Sequence, residues 1–225
     1  MDITRLQFFA HLTAWVPAIL LVWDYLTGGL TADPVQTVTQ RTGRAAIFFL
    51  VLSLSCTPLN ILTGYKGTIR IRRALGLYSF MYAALHMIVF FVLDYRLDFS
   101  LIFLENFNKL YLWLGFCSFL LLSALAITSY PWWMRLLGKA WKILHRSVYI
   151  VGLLTVLHHL FARKGNLISL QGDIGAPLVY GVIVVILLVL RTPIIKRWWI
   201  QKRLKLKLPR EFPGLILRYL DKPLF

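Results

Sequence analysis

The chain has 225 residues, of which 59% are hydrophobic, and its mean hydropathy of +0.70 excludes a water-soluble domain of this size. The formal charge of +16 raises the question of nucleic acid. The lysines and arginines, however, fall between apolar runs and after the last one, which is how cytoplasmic loops are charged, so no nucleic-acid partner is expected.

Six apolar runs are each near the ~20 residues that a bilayer requires. In chain order they cover about 8–26, 44–62, 74–93, 110–129, 143–161 and 176–192. The first follows few charges and no small-residue cleavage site, so it reads as a span and not as a removed leader. The connection after it, GGLTADPVQTVTQRTGRAA, is polar and turn-rich. Gly28, Gly29 and Pro34 break helix there, and Thr42 is expected to cap the second span. Cys56 and Cys117 stand singly in separate runs with no CxxC or CxxCH spacing, which argues against iron–sulfur, zinc and covalent c-type haem. Both thiols are expected to pack in the interior.

Topology follows from the loops. Lys66, Arg70, Arg72 and Arg73 join the second run to the third, and Arg135, Lys139, Lys142 and Arg146 join the fourth to the fifth. The alternate loops carry Asp24 and Asp33, then Asp94, Asp98 and Glu105. By the positive-inside rule both termini are cytoplasmic. The tail WWIQKRLKLKL, with Trp198 and Trp199 as interfacial anchors, is expected to lie along the inner surface on anionic lipid. No internal repeat is visible, so an inverted-repeat transporter gains no support.

Histidines at membrane depth require an explanation, because a strongly polar side chain is costly in hydrocarbon. The fifth span, in LLGKAWKILHRSVYIVGLLTVLHHLF, holds His145, His158 and His159, and the third, in LGLYSFMYAALHMIVFF, holds His86. The two spans run parallel, and His86 and His158 lie at similar depth toward the outer half. His145 lies ~20 Å below His158. Imidazoles from two helices make a six-coordinate haem suited to electron transfer. An outer haem between His86 and His158 therefore fits, and His145 reads either as the ligand of an inner haem or, between Lys142 and Arg146, as an inner-surface residue. Thirteen residues turn His158 ~140° from His145 on an ideal helix, and His159 falls nearer the same face, so geometry alone leaves the two neighbours in competition. A lone membrane histidine is also often only a hydrogen-bonding residue between helices. His11, with no partner at its depth, reads as interfacial packing.

The segments RRALGLYSFMYAALH and LGKAWKILHRSVYIVGLLTVLHHL resemble the third and fifth helices of the ferric-reductase-like transmembrane domain. Together with GGLTADPVQTVTQRTGRAA they resemble, more closely, the MsrQ family of haem-binding membrane subunits, over roughly residues 10–195. The resemblance implies that His86, His145 and His158 are axial ligands of haem iron and favours His158 over His159. In larger oxidase relatives the third helix carries a second histidine; here that position falls near Arg72, so His145 lacks an evident opposite ligand. The resemblance also implies b-type haem, flavin mononucleotide (FMN), electrons from the quinone pool, a periplasmic molybdopterin-containing methionine sulfoxide reductase as acceptor, and the bacterial inner membrane.

The expected protein is an all-α, six-helix membrane bundle, with a ferric-reductase-like haem domain over 1–195 and a basic cytoplasmic surface tail over 196–225. It carries electrons and does no substrate chemistry of its own. After the last span only about thirty residues remain and no GxGxxG unit opens a βαβ fold, so oxidation of NADPH within the chain is not expected. Arg72 and Arg73 are candidates for a haem propionate or flavin phosphate, and Asp33 for partner docking. The rivals are a stand-alone ferric or metal-chelate reductase of the same fold and a haem-free transporter or assembly subunit.

Overall fold

The computed structural model describes residues 5–106, 109–162, 165–166, 171–172 and 175–207. The end of the basic tail, 208–225, lies outside the described residues. The helices are α1 (Arg5–Leu26), α2 (Pro34–Thr63), α3 (Gly67–Val89), α4 (Phe99–Asn106), α5 (Leu110–Ile127), α6 (Pro131–Leu137), α7 (Lys139–Arg146), α8 (Val148–Phe161), α9 (Gly175–Val189) and α10 (Pro193–Lys207). A π-helical turn, Phe90–Asp94, extends α3. A two-residue antiparallel ladder pairs Gly165–Asn166 with Gln171–Gly172.

Five helical segments are long and apolar enough to cross a bilayer: α1, α2, α3 with its π turn, α5, and α7 with α8. A sixth crossing is available if the bent pair of α9 and α10 counts as one span. At 15 residues, α9 rises ~22 Å, short of the ~30 Å hydrocarbon core. The chain then turns by 61° into α10. The protein is a multi-pass, all-helical membrane protein.

The second span begins ten residues before the expected place. Asp33 caps α2 by accepting a hydrogen bond from the Gln36 N–H at 2.9 Å, and Pro34 occupies the first turn. From Pro34 onward the polar stretch that reads as a connector is therefore helix. Its threonines satisfy themselves against the preceding turn: Thr39 and Thr42 donate to the Val35 and Val38 carbonyls at 2.9 and 2.8 Å. At the other end, Gly64 adopts φ 76° and returns its N–H to the Asn60 carbonyl, the left-handed closure that glycine takes without strain.

Helix α2 is the centre of the bundle. Ile47, Leu50, Val51 and Leu54 pack with Leu122 of α5, Val151 of α8 and Val184 of α9, while Ala45, Ala46 and Phe49 pack with Ala14 of α1 and Leu75 and Tyr82 of α3. By contrast α1 buries only Ala10 and Ala14 and presents Phe8, Leu12, Trp15, Ile19 and Trp23 outward. Such a face would aggregate in water and is ordinary in lipid. Cys56 is buried, but Cys117 is exposed on the bundle surface, against the expectation that both thiols pack inside.

Polar side chains join the helices where the backbone permits. Ser79 donates to the Ala46 carbonyl and Ser53 to the Arg72 carbonyl, both at 2.9 Å. Tyr82, 1% exposed, inserts its hydroxyl into α1. It donates to the Ala14 carbonyl at 2.6 Å and accepts the Ala18 N–H at 3.2 Å, bridging a hydrogen bond that α1 would otherwise close beside Pro17. Tyr82→Phe is expected to destabilise the bundle by ~1 kcal/mol, read as a lower unfolding midpoint in detergent.

Candidate functional site

His86 lies in the last turn of α3 and His158 in the last turn of α8. Their ring centroids are 6.2 Å apart and their planes cross at 77°. His86 Nδ1 lies 2.9 Å from the Thr39 carbonyl oxygen on α2, and His158 Nδ1 lies 2.7 Å from the Tyr111 carbonyl oxygen on α5. A carbonyl can only accept, so each Nδ1 carries the hydrogen and donates it. Each Nε2 is then left with the lone pair.

That arrangement fits a bis-imidazole iron site. Two metal–nitrogen bonds of ~2.0 Å, added to the distance from each Nε2 to its ring centre, span about the separation observed. Neutral imidazoles held by Nδ1–H to backbone carbonyls are the donor set that a six-coordinate haem takes.

The neighbouring residue His159 points elsewhere: its ring meets Tyr180 of α9 edge-on at 6.2 Å. Of the two neighbouring histidines, it is the ring of His158 that stands against His86. His145 is apart from the pair. Its Nε2 lies 3.1 Å from Thr128 Oγ1, and its ring stacks on Trp141 at 4.0 Å, while the Trp141 indole donates to the Thr128 carbonyl at 2.8 Å. His11 Nδ1 is 2.9 Å from the Tyr78 hydroxyl. Among the described residues, no group of three or more His, Cys, Asp or Glu side chains could hold a bare metal ion.

Arg72 and Arg73, adjacent in sequence, serve different neighbours. Arg72 donates to Thr57 Oγ1 on α2 at 3.1 Å. Arg73 lines a groove of about 530 Å³ between α1 and α3 with Gln7, His11, Arg70, Tyr78 and Met81. Asp33 is exposed, but one carboxylate oxygen is the α2 cap.

Sequence reasoning did not find the two carbonyls, because a backbone acceptor leaves no residue signature. Spacing is the one available signal. Histidine and acceptor are 47 residues apart in both halves, His86 with Thr39 and His158 with Tyr111. The same shift, from α2–α3 to α5–α8, sets Arg73 at the position corresponding to His145. The two halves thus share one histidine-to-acceptor spacing.

A helical membrane bundle with one histidine from each of two spans set ring to ring defines a class, and the sequence comparison agrees with it. The family described as "Ferric reductase like transmembrane component" matches residues 42–156, from the third turn of α2 into α8. The chain is 42% identical over 184 residues to the protein-methionine-sulfoxide reductase heme-binding subunit MsrQ of Xanthomonas euvesicatoria, covering 79% of this chain and 81% of that one. It is 37% identical over 199 residues to MsrQ of Salmonella paratyphi B (88% and 96%) and 34% over 197 residues to MsrQ of Bordetella parapertussis (88% and 92%). The chain belongs to the MsrQ family, within the ferric-reductase-like transmembrane proteins.

Proposed function

We propose that this protein is the haem b electron-transfer subunit of a methionine sulfoxide reductase system, with His86 and His158 as the axial ligands of one haem. The single observation that carries the reading is the facing pair of imidazoles 6.2 Å apart, each with Nδ1 committed to a carbonyl. Haem, when bound there, supplies one-electron cycling of its iron. The protein's own part is to hold two neutral rings with their lone pairs inward, to fix their tautomers through Thr39 and Tyr111, and to surround them with packed helix so that water does not compete for the iron.

On this reading both termini are cytoplasmic in the bacterial inner membrane, residues 1–195 form the haem domain, and 196–225 form a basic tail on the inner surface. Electrons come from the quinone pool and leave to a periplasmic molybdopterin-containing reductase. Within the tail, Lys202 sits over the rings of Trp198 and Trp199 at 5.0 and 5.5 Å, a cluster suited to an interface with anionic lipid. FMN, if carried, places its phosphate on the inner basic face, where Arg72 and Arg73 offer two separate sites. His145 is the inner candidate for a second haem, and its hydrogen bond to Thr128 must open for Nε2 to bind iron.

The test is a reconstituted assay. Full-length protein in lipid nanodiscs, reduced by a quinol, should be re-oxidised by purified reductase plus methionine sulfoxide. Re-oxidation by ferric citrate and not by that reductase would establish the metal-chelate reading instead, and a colourless preparation from haem-replete cells would reject both.

Docking through Asp33 is separable from capping. Asp33→Asn keeps a cap acceptor and removes the charge, whereas Asp33→Lys removes both. If the carboxylate guides the partner, both variants are expected to slow re-oxidation several-fold at low salt; a normal rate for Asp33→Asn would leave only the cap.

A further inference from the structure

We infer that Gly43 and Gly115 are positioning residues for the two axial histidines: each is the seat that lets an imidazole reach the carbonyl four residues earlier on the facing helix. The inference rests on the haem reading above and extends it to residues that contact the two histidines and are not themselves ligands.

In a regular helix the carbonyl of residue i accepts from the N–H of residue i+4, and its second lone pair is approachable only past the side chain of that residue. Thr39 and Tyr111 are the acceptors, and Gly43 and Gly115 stand four residues after them. A Cβ built on Gly43 would lie 3.2 Å from His86 Nδ1 and 3.3 Å from its Cε1; one on Gly115 would lie 2.7 Å from His158 Nδ1 and 2.8 Å from its Cε1. The two seats thus repeat one design, glycine on one helix and histidine 43 residues later on the helix that faces it. They differ in tightness. At Gly43 the ring must yield by a few tenths of an ångström, whereas at Gly115 it must leave its place and give up the Tyr111 carbonyl. Both glycines lie in ordinary helical backbone, where alanine is otherwise the better helix former, so a loss on substitution is attributable to the ring contact.

The experiment compares full-length wild type with Gly43→Ala, Gly115→Ala and Gly181→Ala, purified in detergent and checked for monodispersity and helicity. Gly181 is the control: a Cβ there meets Val156 Cγ1 at 3.3 Å, an equally close contact between α9 and α8 that involves no histidine. Haem per protein, the ferric low-spin electron paramagnetic resonance signal and the midpoint potential are the readouts. Gly115→Ala is expected to lower haem retention roughly 10- to 100-fold, the range for loss of a support to a metal ligand. Gly43→Ala is expected to keep its haem with shifted resonance positions and potential, and Gly181→Ala to match wild type in all three. The inference is overturned if Gly43→Ala, the milder variant and the one that decides should Gly115→Ala not fold, matches wild type in resonance and potential. It is also overturned if Gly181→Ala shifts them equally. Wild type with low-spin haem that survives His86→Ala and His158→Ala would refute the ligand assignment instead.

Discussion

His86→Ala and His158→Ala are each expected to abolish the low-spin b-type spectrum of the purified protein, while His159→Ala leaves it intact. The rings of His86 and His158 face each other at 6.2 Å, so either truncation would remove one of the two imidazoles that the proposed site offers to iron. The surviving ring keeps its carbonyl but faces a void. His159 is one residue away, yet its ring lies against Tyr180, and swinging it to the site would require α8 to turn by ~100°. The contrast between adjacent histidines therefore tests placement rather than proximity. Free imidazole offers a second arm. In His158→Ala the space left beside Gly115 and below the Tyr111 carbonyl has the shape and acceptor of the missing ring, so added imidazole is expected to restore the six-coordinate spectrum. Loss of the spectrum in His159→Ala with retention in His158→Ala would reverse the assignment. His145→Ala is expected to preserve this spectrum, because His145 is engaged with Thr128 and Trp141 elsewhere; a fall to about half the haem per protein would count a second site.

Most of the fold was legible because the bilayer imposes a length on every apolar run. The all-helical class and the two spans that carry the facing histidines follow from that constraint. What was illegible had specific causes. The start of α2 lay hidden because threonines, which compete with helix elsewhere, are satisfied here against the preceding turn, and the cap at Asp33 looked like one more turn residue. The sixth span read as a single run, yet Arg191 and Pro193 bring a bend of 61° after α9. At the site, His86 and His158 could be matched by depth, but rotation about the helix could not choose between His158 and His159, since a few degrees per turn accumulate over thirteen residues. The pairing of Gly43 and Gly115 with them was invisible for a different reason. Two glycines among apolar residues carry no chemistry until a ring is seen against each.

Arg191→Met is expected to destabilise the bundle by ~2 kcal/mol, and Pro58→Ala is expected to rescue most of that loss. Pro58 lies inside α2 and has no N–H, so the carbonyl of Leu54, four residues earlier, has no helical donor. An unsatisfied carbonyl at membrane depth is costly. Arg191, just after α9, supplies the missing donor: its Nη2 lies 2.5 Å from the Leu54 oxygen, and its guanidinium lies 5.1 Å over the ring of Tyr149 on α8. One side chain thus ties three helices at the place where the sixth span bends. Removing it orphans the carbonyl and forfeits a charge-assisted hydrogen bond. Alanine at 58 restores an N–H within reach of the Leu54 oxygen, so the carbonyl no longer depends on the arginine. Unfolding midpoints of the two single variants and the double variant complete the cycle. A strongly favourable coupling, with the double variant near Pro58→Ala alone, is the expected result. Additive losses would mean that Arg191 acts through Tyr149 and not through the carbonyl that the proline leaves free.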